Sequence, residues 1–318
     1  MPSVVTASTA WESKNLSPGD YMIETGKLWA PILHRAAQSA KQEGVTLSSA
    51  HRDHLPVAEL WSLIEEIRGT LRRFGFVLVR GWPGSEYGDE TAYSLYWVLG
   101  AVLGQPLPQN AAGDRLYKVT DTSPAGTSAD SAARGSTSNE ELVFHTDSAS
   151  ATDAERADIL GLFCIRAARS GGDSLLASGH TLYNTLLKAD ETLVSPLFGD
   201  VPFGRRSETY AGGLAAASGP VFRSRGDALL VRYNRYWIDM GFKTLMQEVP
   251  PSLLRSLNAV DEVLSTPAFG LRFRLAPGDV LLADNTVVMH GRAEFNDYEE
   301  LDRRRLLLRL WIKSPTDG

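Results

Sequence analysis

Cysteine is nearly missing from this chain. Cys164 is the single one among 318 residues, so no disulfide can close within the chain and no thiolate cluster can hold a metal. It stands in the apolar run Ile159-Leu160-Gly161-Leu162-Phe163-Cys164-Ile165, where a buried structural thiol is expected rather than a nucleophile. Long apolar runs are also missing. Nothing approaches the roughly 18 consecutive apolar residues of a membrane span, and the opening Met1-Pro2-Ser3-Val4-Val5-Thr6-Ala7 has neither the basic nor the apolar segment of a signal peptide. These absences lead to the expectation of a reducing, cytoplasmic setting. Nor is there an excess of positive charge. Lys and Arg number 32 against 38 Asp and Glu, a net charge of −6, which offers nothing to a phosphate backbone. The densest basic run, Arg303-Arg304-Arg305, leads straight into Leu306-Leu307-Leu308 and reads as the entry to a buried strand. Nucleic acid and membrane are thus not expected as partners. A small-molecule substrate is, and a homo-oligomer is compatible with the sequence.

Hydrophobic residues make up 43% of the chain, the ordinary share for a globular protein. Their spacing predicts a helix over 56–73, with Pro56 in its first turn and Val57, Leu60, Trp61, Ile64, Ile67 and Leu71 at helical intervals. A buried strand follows over 74–81, then a second helix from Glu90 to Leu103, stopped by Gly104 and Pro106. Residues 121–139 carry no apolar period and read as a long loop, a lid over the functional site. Beyond it the pattern turns to short strands between turn residues, over 158–167, 173–178, 219–223, 228–233, 270–275, 279–283, 286–290 and 305–313. Helices interrupt them near 180–190 and 251–265. Such a series implies a mainly β sandwich or barrel with flanking helices. There is no internal repeat and no linker, so one domain is expected, with a helical region over about 1–110 packed on a barrel over 111–318.

Three elements carry chemistry. In Phe144-His145-Thr146-Asp147, residues two apart on a strand share a face, so His145 and Asp147 can grip one ion. His290 lies 145 residues further on, at the end of the apolar run Val287-Val288-Met289 and before Gly291-Arg292. Two imidazoles and one carboxylate form a facial triad that leaves three of six iron positions open. The third element is Arg305-Leu306-Leu307-Leu308-Arg309-Leu310-Trp311. Arg305 and Arg309 are four apart and share a strand face. A guanidinium inside a leucine-rich strand is costly without an anion, and a carboxylate is its natural bidentate partner.

These stretches resemble the TauD/TfdA (taurine dioxygenase and clavaminate synthase-like) family of Fe(II)- and 2-oxoglutarate-dependent dioxygenases. The likeness is carried by Glu141 to Asp147, by Ser170-Gly171-Gly172-Asp173-Ser174, by Pro277-Gly278-Asp279 with Asp284-Asn285, and by His290-Gly291-Arg292 through Phe295-Asn296-Asp297 to Trp311. It spans most of the chain and is weaker before residue 56. The resemblance implies a double-stranded β-helix, a jelly-roll (cupin-like) barrel open at the iron end. It implies His145, Asp147 and His290 as iron ligands, Arg305 as the anchor of the distal carboxylate of 2-oxoglutarate, and Ser174 as a hydroxyl donor to the same molecule, where the family commonly has Thr. Arg309 matches a second arginine near the co-substrate or an anionic substrate group. Related halogenases carry Gly or Ala in place of the carboxylate, so Asp147 speaks against halide ligation. The implied reaction consumes O2 and 2-oxoglutarate, releases succinate and CO2, and oxidises a small organic molecule by hydroxylation, desaturation or cyclisation. An amino acid or other small carboxylate of a specialised (secondary) metabolic pathway is the expected substrate.

His34, His51, His54 and His180 lack such company and read as surface or structural residues, and Trp29, Trp61 and Trp97 as helix packing. Glu140, Glu141, Arg205, Arg206, Arg232 and Arg235 could reach a substrate pocket. Two other classes share the triad: a metal-binding sensor without turnover, and an iron oxygenase that uses no oxoacid. Arg305 argues against the sensor, which has no need of 2-oxoglutarate.

Overall fold

The computed structural model describes residues 3–122, 137–206, 210 and 213–315. Two facing sheets form its centre. Their strands are β1 (Met22–Glu24), β2 (Phe76–Arg80), β3 (Gln105–Pro106), β4 (Leu116–Val119), β5 (Leu142–His145), β6 (Ile159–Arg166), β7 (Ser174–Ser178), β8 (Leu271–Phe273), β9 (Val280–Asp284), β10 (Val288–Arg292) and β11 (Leu306–Lys313). The larger sheet runs β1-β2-β9-β6-β11-β3, with β4 also on β11, and the smaller runs β8-β7-β10-β5. From β5 onward the chain crosses repeatedly between the two sheets, as a double-stranded β-helix requires. The segment before residue 110 contributes three of the strands as well as its helices.

Strand β11 shows how sequence alternation builds both layers. Leu306, Leu308, Leu310 and Ile312 join the cluster under α1 (Gly26–Gln42), α2 (Trp61–Phe74) and α3 (Asp89–Leu103). Arg305, Leu307, Arg309 and Trp311, the alternate set, line a cavity inside the barrel. Strand β9 alternates likewise, Val280 and Leu282 toward the helices, Leu281 and Ala283 toward the barrel interior. Burial of each such side chain contributes about 1.5–3 kcal/mol. The outer face of the smaller sheet, through Ala177 and Met289, packs on α4 (Gly179–Ala189) and on the helix Pro251–Ser265. The turn Pro277-Gly278-Asp279 is a structural joint: Asp279 is almost fully buried and accepts from Arg80 Nε and Nη2 at 3.0 and 3.1 Å, which ties β2 to the start of β9.

Several sequence expectations are corrected. Helix α2 begins at Trp61, not at 56. The Pro56 carbonyl already accepts from both Glu59 and Leu60, and the Val57 amide turns back to Leu55, so this stretch is a tight turn. Trp61 is 51% exposed rather than packed, because Leu60 takes the inward position at the helix start; Trp29 is buried, and Trp97 is partly buried against the core. The strand expected over 219–223 is two strands, Ala216–Gly219 and Phe222–Arg225, parted at Pro220, which has no N–H for a ladder. The expected 286–290 strand instead runs from Val288 through Arg292. Of the expected lid over 121–139, residues 123–136 lie outside the described residues. Among the described residues no helix is long and apolar enough to cross a membrane.

Candidate active site

His145 closes β5 and His290 sits in the middle of β10, directly opposite it in the ladder, with ring centroids 4.2 Å apart. His290 therefore does not end its strand, as its place before Gly291 had implied. Glycine is required there for another reason. A Cβ on Gly291 would come within 2.7 Å of the Leu142 carbonyl, so any side chain would push β5 away from β10 and separate the two imidazoles. Asp147 is not on the strand with His145 either; it lies in the turn after it. What aims it is a clamp from distant chain. Asn285, 1% exposed, accepts from the Asp147 amide at 2.8 Å and donates to the Asp147 carbonyl at 2.9 Å. The Thr146 amide donates to Tyr233 O at 2.7 Å, and Ser148 takes a left-handed φ of 51° to turn the chain.

The three side chains are buried, and their ligand atoms lie within 4.8 Å of one another. The Asp147 Oδ1 atom is 3.5 Å from His145 Nε2 and 3.9 Å from His290 Nε2. His145 Nδ1 is 2.9 Å from the Val143 carbonyl, which can only accept, so Nδ1 carries a proton and Nε2 is the atom turned toward the cluster. Burial, reinforced by the neighbouring His145, pushes His290 down to about 3, so it is neutral at physiological pH, as a metal ligand must be. Burial alone would raise Asp147; the Arg309 guanidinium leads the opposing influences, and the carboxyl is held well below its usual range. The second carboxylate oxygen, Oδ2, accepts from Trp311 Nε1 at 2.8 Å and Arg309 Nη1 at 3.2 Å. One oxygen is thus left for an ion while the other is held by the protein.

The cavity around this cluster has a volume of about 360 Å³. Ser174 lines it on the same rung as Arg292. Arg305 lines it at 5% exposure. Its Nη1 has no hydrogen-bond partner and no carboxylate within 4.0 Å among the described residues, and burial lowers its pKa to about 10. A buried guanidinium without a counter-charge is unstable unless an anion enters. Arg304, the adjacent basic residue, points elsewhere and donates to the carbonyls of Tyr298 and Asp121.

A His-Asp-His donor set with three open positions suits iron, and the orphaned Arg305 donor suits the far carboxylate of a bound oxoacid. Between the two sheets of a double-stranded β-helix, that combination defines an Fe(II)- and 2-oxoglutarate-dependent oxygenase. The chain belongs to the family described as taurine catabolism dioxygenase TauD, TfdA, whose model matches residues 48–311. It is 30% identical over 315 residues to FR-33289 synthase of Streptomyces rubellomurinus, covering 97% of this chain and 90% of that protein. It is 32% identical over 155 residues to uridine-5'-phosphate dioxygenase of an Amycolatopsis species, which covers 48% of this chain and 55% of that one. Among solved structures, asparagine oxygenase in complex with Fe(II), 3-hydroxyasparagine and succinate superposes with a TM-score of 0.73 at 18% identity, covering 92% of this chain and 93% of that one.

Other expected site residues fall in different places. Arg206 lines the cavity. Arg205 is bonded to Glu155 at 2.8 and 3.1 Å, and Arg235 to Asp239 and Asp261. Arg232 is fully buried and donates to the carbonyls of Ala149 and Ala151, bracing the chain just after Asp147. Glu140 and Glu141 are not among the residues lining the cavity. His180 is a buried structural residue between Thr9 and the Leu229 carbonyl, and His34 bonds the Tyr87 hydroxyl. Sequence reasoning assigned no role to Trp311, Gln109 or Asn285. Gln109 accepts from Arg309 Nε at 2.7 Å and donates to the Arg309 carbonyl at 2.8 Å. Nothing local marks a residue so far away as the partner of this arginine.

Proposed function

We propose that His145, Asp147 and His290 ligate the iron, that Arg305 and Ser174 hold the distal carboxylate of 2-oxoglutarate, and that the enzyme hydroxylates a small organic substrate, an amino acid or another small carboxylate. The observation that carries this reading is the coexistence, in one cavity, of a two-imidazole, one-carboxylate cluster and a buried guanidinium whose Nη1 has no partner among the described residues. The relatives support a small polar substrate: their names include an asparagine product and a nucleotide.

When bound, Fe(II) and 2-oxoglutarate supply the activation of O2, with succinate and CO2 as the co-products. The chain's own residues provide everything else. Arg305, packed over Phe295 at 5.2 Å, binds a carboxylate through its free Nη1 and so sets the depth of the oxoacid. Arg309 and Trp311 act as positioning residues: by occupying Oδ2 they keep Asp147 ionised and turned so that Oδ1 meets the two imidazoles. The Val143 carbonyl holds the His145 tautomer. Leu162, Leu307 and Val119 line the same cavity and exclude water from the reacting centre.

The test is succinate release. Purified protein with Fe(II), ascorbate, O2 and 2-oxoglutarate is screened against amino acids and small carboxylates, with succinate and O2 uptake measured together. Substrate-dependent succinate in equal amount to O2 consumed is the expected result. A substrate oxidised without 2-oxoglutarate, or a protein that binds iron and yields no succinate with any compound, would overturn the reading.

A further inference from the structure

We infer that Arg206, held against Tyr236 and Trp237, is the docking site for an anionic group on the primary substrate, so that this substrate carries a carboxylate or a phosphoryl group. The inference rests on the proposed oxygenase function and names the chemical class of its substrate.

The charges lining the cavity are unbalanced. Among the described residues, Asp147 is its sole carboxylate, against the guanidiniums of Arg206, Arg292, Arg305 and Arg309. Three of the four have a use. Arg309 is paired with Asp147. Arg305 awaits the distal carboxylate of 2-oxoglutarate. Arg292 donates to the Glu140 carbonyl and is drawn electrostatically to Asp121. Arg206 has no carboxylate within 4.0 Å among the described residues, and the acid bonded to its neighbour, Glu155, is taken up by Arg205 itself. Once the oxoacid is bound, the cavity still holds a cation at Arg206 that no carboxylate among the described residues balances.

This guanidinium is also held in place. Its Nη2 donates to the Tyr236 hydroxyl at 2.9 Å, and its Cζ lies 5.1 Å from the Trp237 ring centroid and 5.8 Å from that of Tyr236. Both aromatics sit in the first turn of the helix Arg235–Thr244, whose cap Asn234 accepts from the Trp237 amide at 3.2 Å. Asn234, Tyr236 and Trp237 line the cavity with Arg206. Stacking and one hydrogen bond use one edge and one face of the fork. Among the described residues nothing takes the remaining N–H groups, which can make two parallel bonds to an oxyanion. Fixing the arginine before binding lowers the entropic cost of holding the substrate.

The test uses small oxyanions as probes. Protein loaded with Zn(II) and 2-oxoglutarate, which cannot turn over, is titrated with methylphosphonate, acetate and neutral acetamide, with binding followed by ligand-observed NMR. The same titration is run on Arg206→Gln and Arg206→Lys, each checked for native thermal unfolding. The two anions should bind saturably and compete with one another. Their affinity should fall about tenfold or more in Arg206→Gln, the loss of a charge-assisted hydrogen bond, with part of it restored in Arg206→Lys, and acetamide should not bind. The tighter anion identifies the group as phosphoryl or carboxylate. Equal anion affinity in wild type and Arg206→Gln, no anion binding by wild type, or acetamide binding as well as the anions would overturn the inference. Failure of the wild type to bind 2-oxoglutarate at the start would instead overturn the oxygenase reading, a separately visible result.

Discussion

Replacing Trp311 by Phe should weaken metal binding without touching a metal ligand. The indole N–H meets Asp147 Oδ2 at 2.8 Å in a site where Trp311 is only 4% exposed, so water cannot easily replace the lost donor. A hydrogen bond to an ionised group is worth about 1.5–3 kcal/mol, and each 1.4 kcal/mol is about tenfold in an equilibrium constant. If Asp147 ligates the metal as proposed, its outer partner should then account for about 10–100-fold in affinity, the range such partners typically show. Phe keeps most of the packing against Ala157 and Leu160, which limits the cavity left behind. The assay is anaerobic titration of Co(II) into wild type and Trp311→Phe, with thermal unfolding of both metal-free proteins as the control for folding. If the folded variant bound Co(II) as tightly as wild type, the idea that Oδ2 is held by the protein so that Oδ1 can serve the metal would be wrong.

Four further outcomes are expected. His145→Ala, Asp147→Ala and His290→Ala should each abolish iron-dependent succinate formation with the fold intact by circular dichroism; wild-type turnover in any of them removes that residue from the site. Arg305→Ala should raise the apparent KM for 2-oxoglutarate by about tenfold or more, whereas Arg304→Ala, whose guanidinium serves the carbonyls of Tyr298 and Asp121, should lower thermal stability and leave that KM nearly unchanged. Gly291→Ala should cost about 1–3 kcal/mol of stability and loosen metal binding, because the new methyl meets the Leu142 carbonyl; a variant with native unfolding temperature and native metal affinity would contradict the close strand approach. The Arg205 hydrogen bonds hold Glu155 at about 2, below its unfolded value. The stability this pair contributes is therefore complete above the ordinary carboxylate pKa of about 4.3 and disappears as pH falls toward 2. Unfolding measured from pH 6 to 2 should show a shallower loss in Glu155→Gln than in wild type, and parallel curves would refute the coupling.

Much of the site could be read before any fold was known, because the relevant signals are local. Alternation along residues 305–312 puts Arg305 and Arg309 on one face and the leucines on the other whatever the strand packs against, since the two-residue period belongs to the strand itself. Residue type and family pattern single out the two histidines and the aspartate, which the fold brings together in one buried cluster. Their geometry was misread: Asp147 lies in a turn, and His290 in mid-strand. The aim of Asp147 depends on Asn285, Tyr233, Arg309 and Trp311, each more than 80 residues away. Which guanidinium finds a carboxylate is equally non-local. By sequence Arg205, Arg206, Arg232 and Arg235 are alike, yet one pairs with Glu155, one braces the Ala149 and Ala151 carbonyls, one pairs with Asp239 and Asp261, and Arg206 alone of them lines the cavity. Periodicity determines which side of an element a residue takes. Only the packing of elements distant in the chain decides which charges meet, because a buried ion pair forms where two such surfaces close over it and nowhere else.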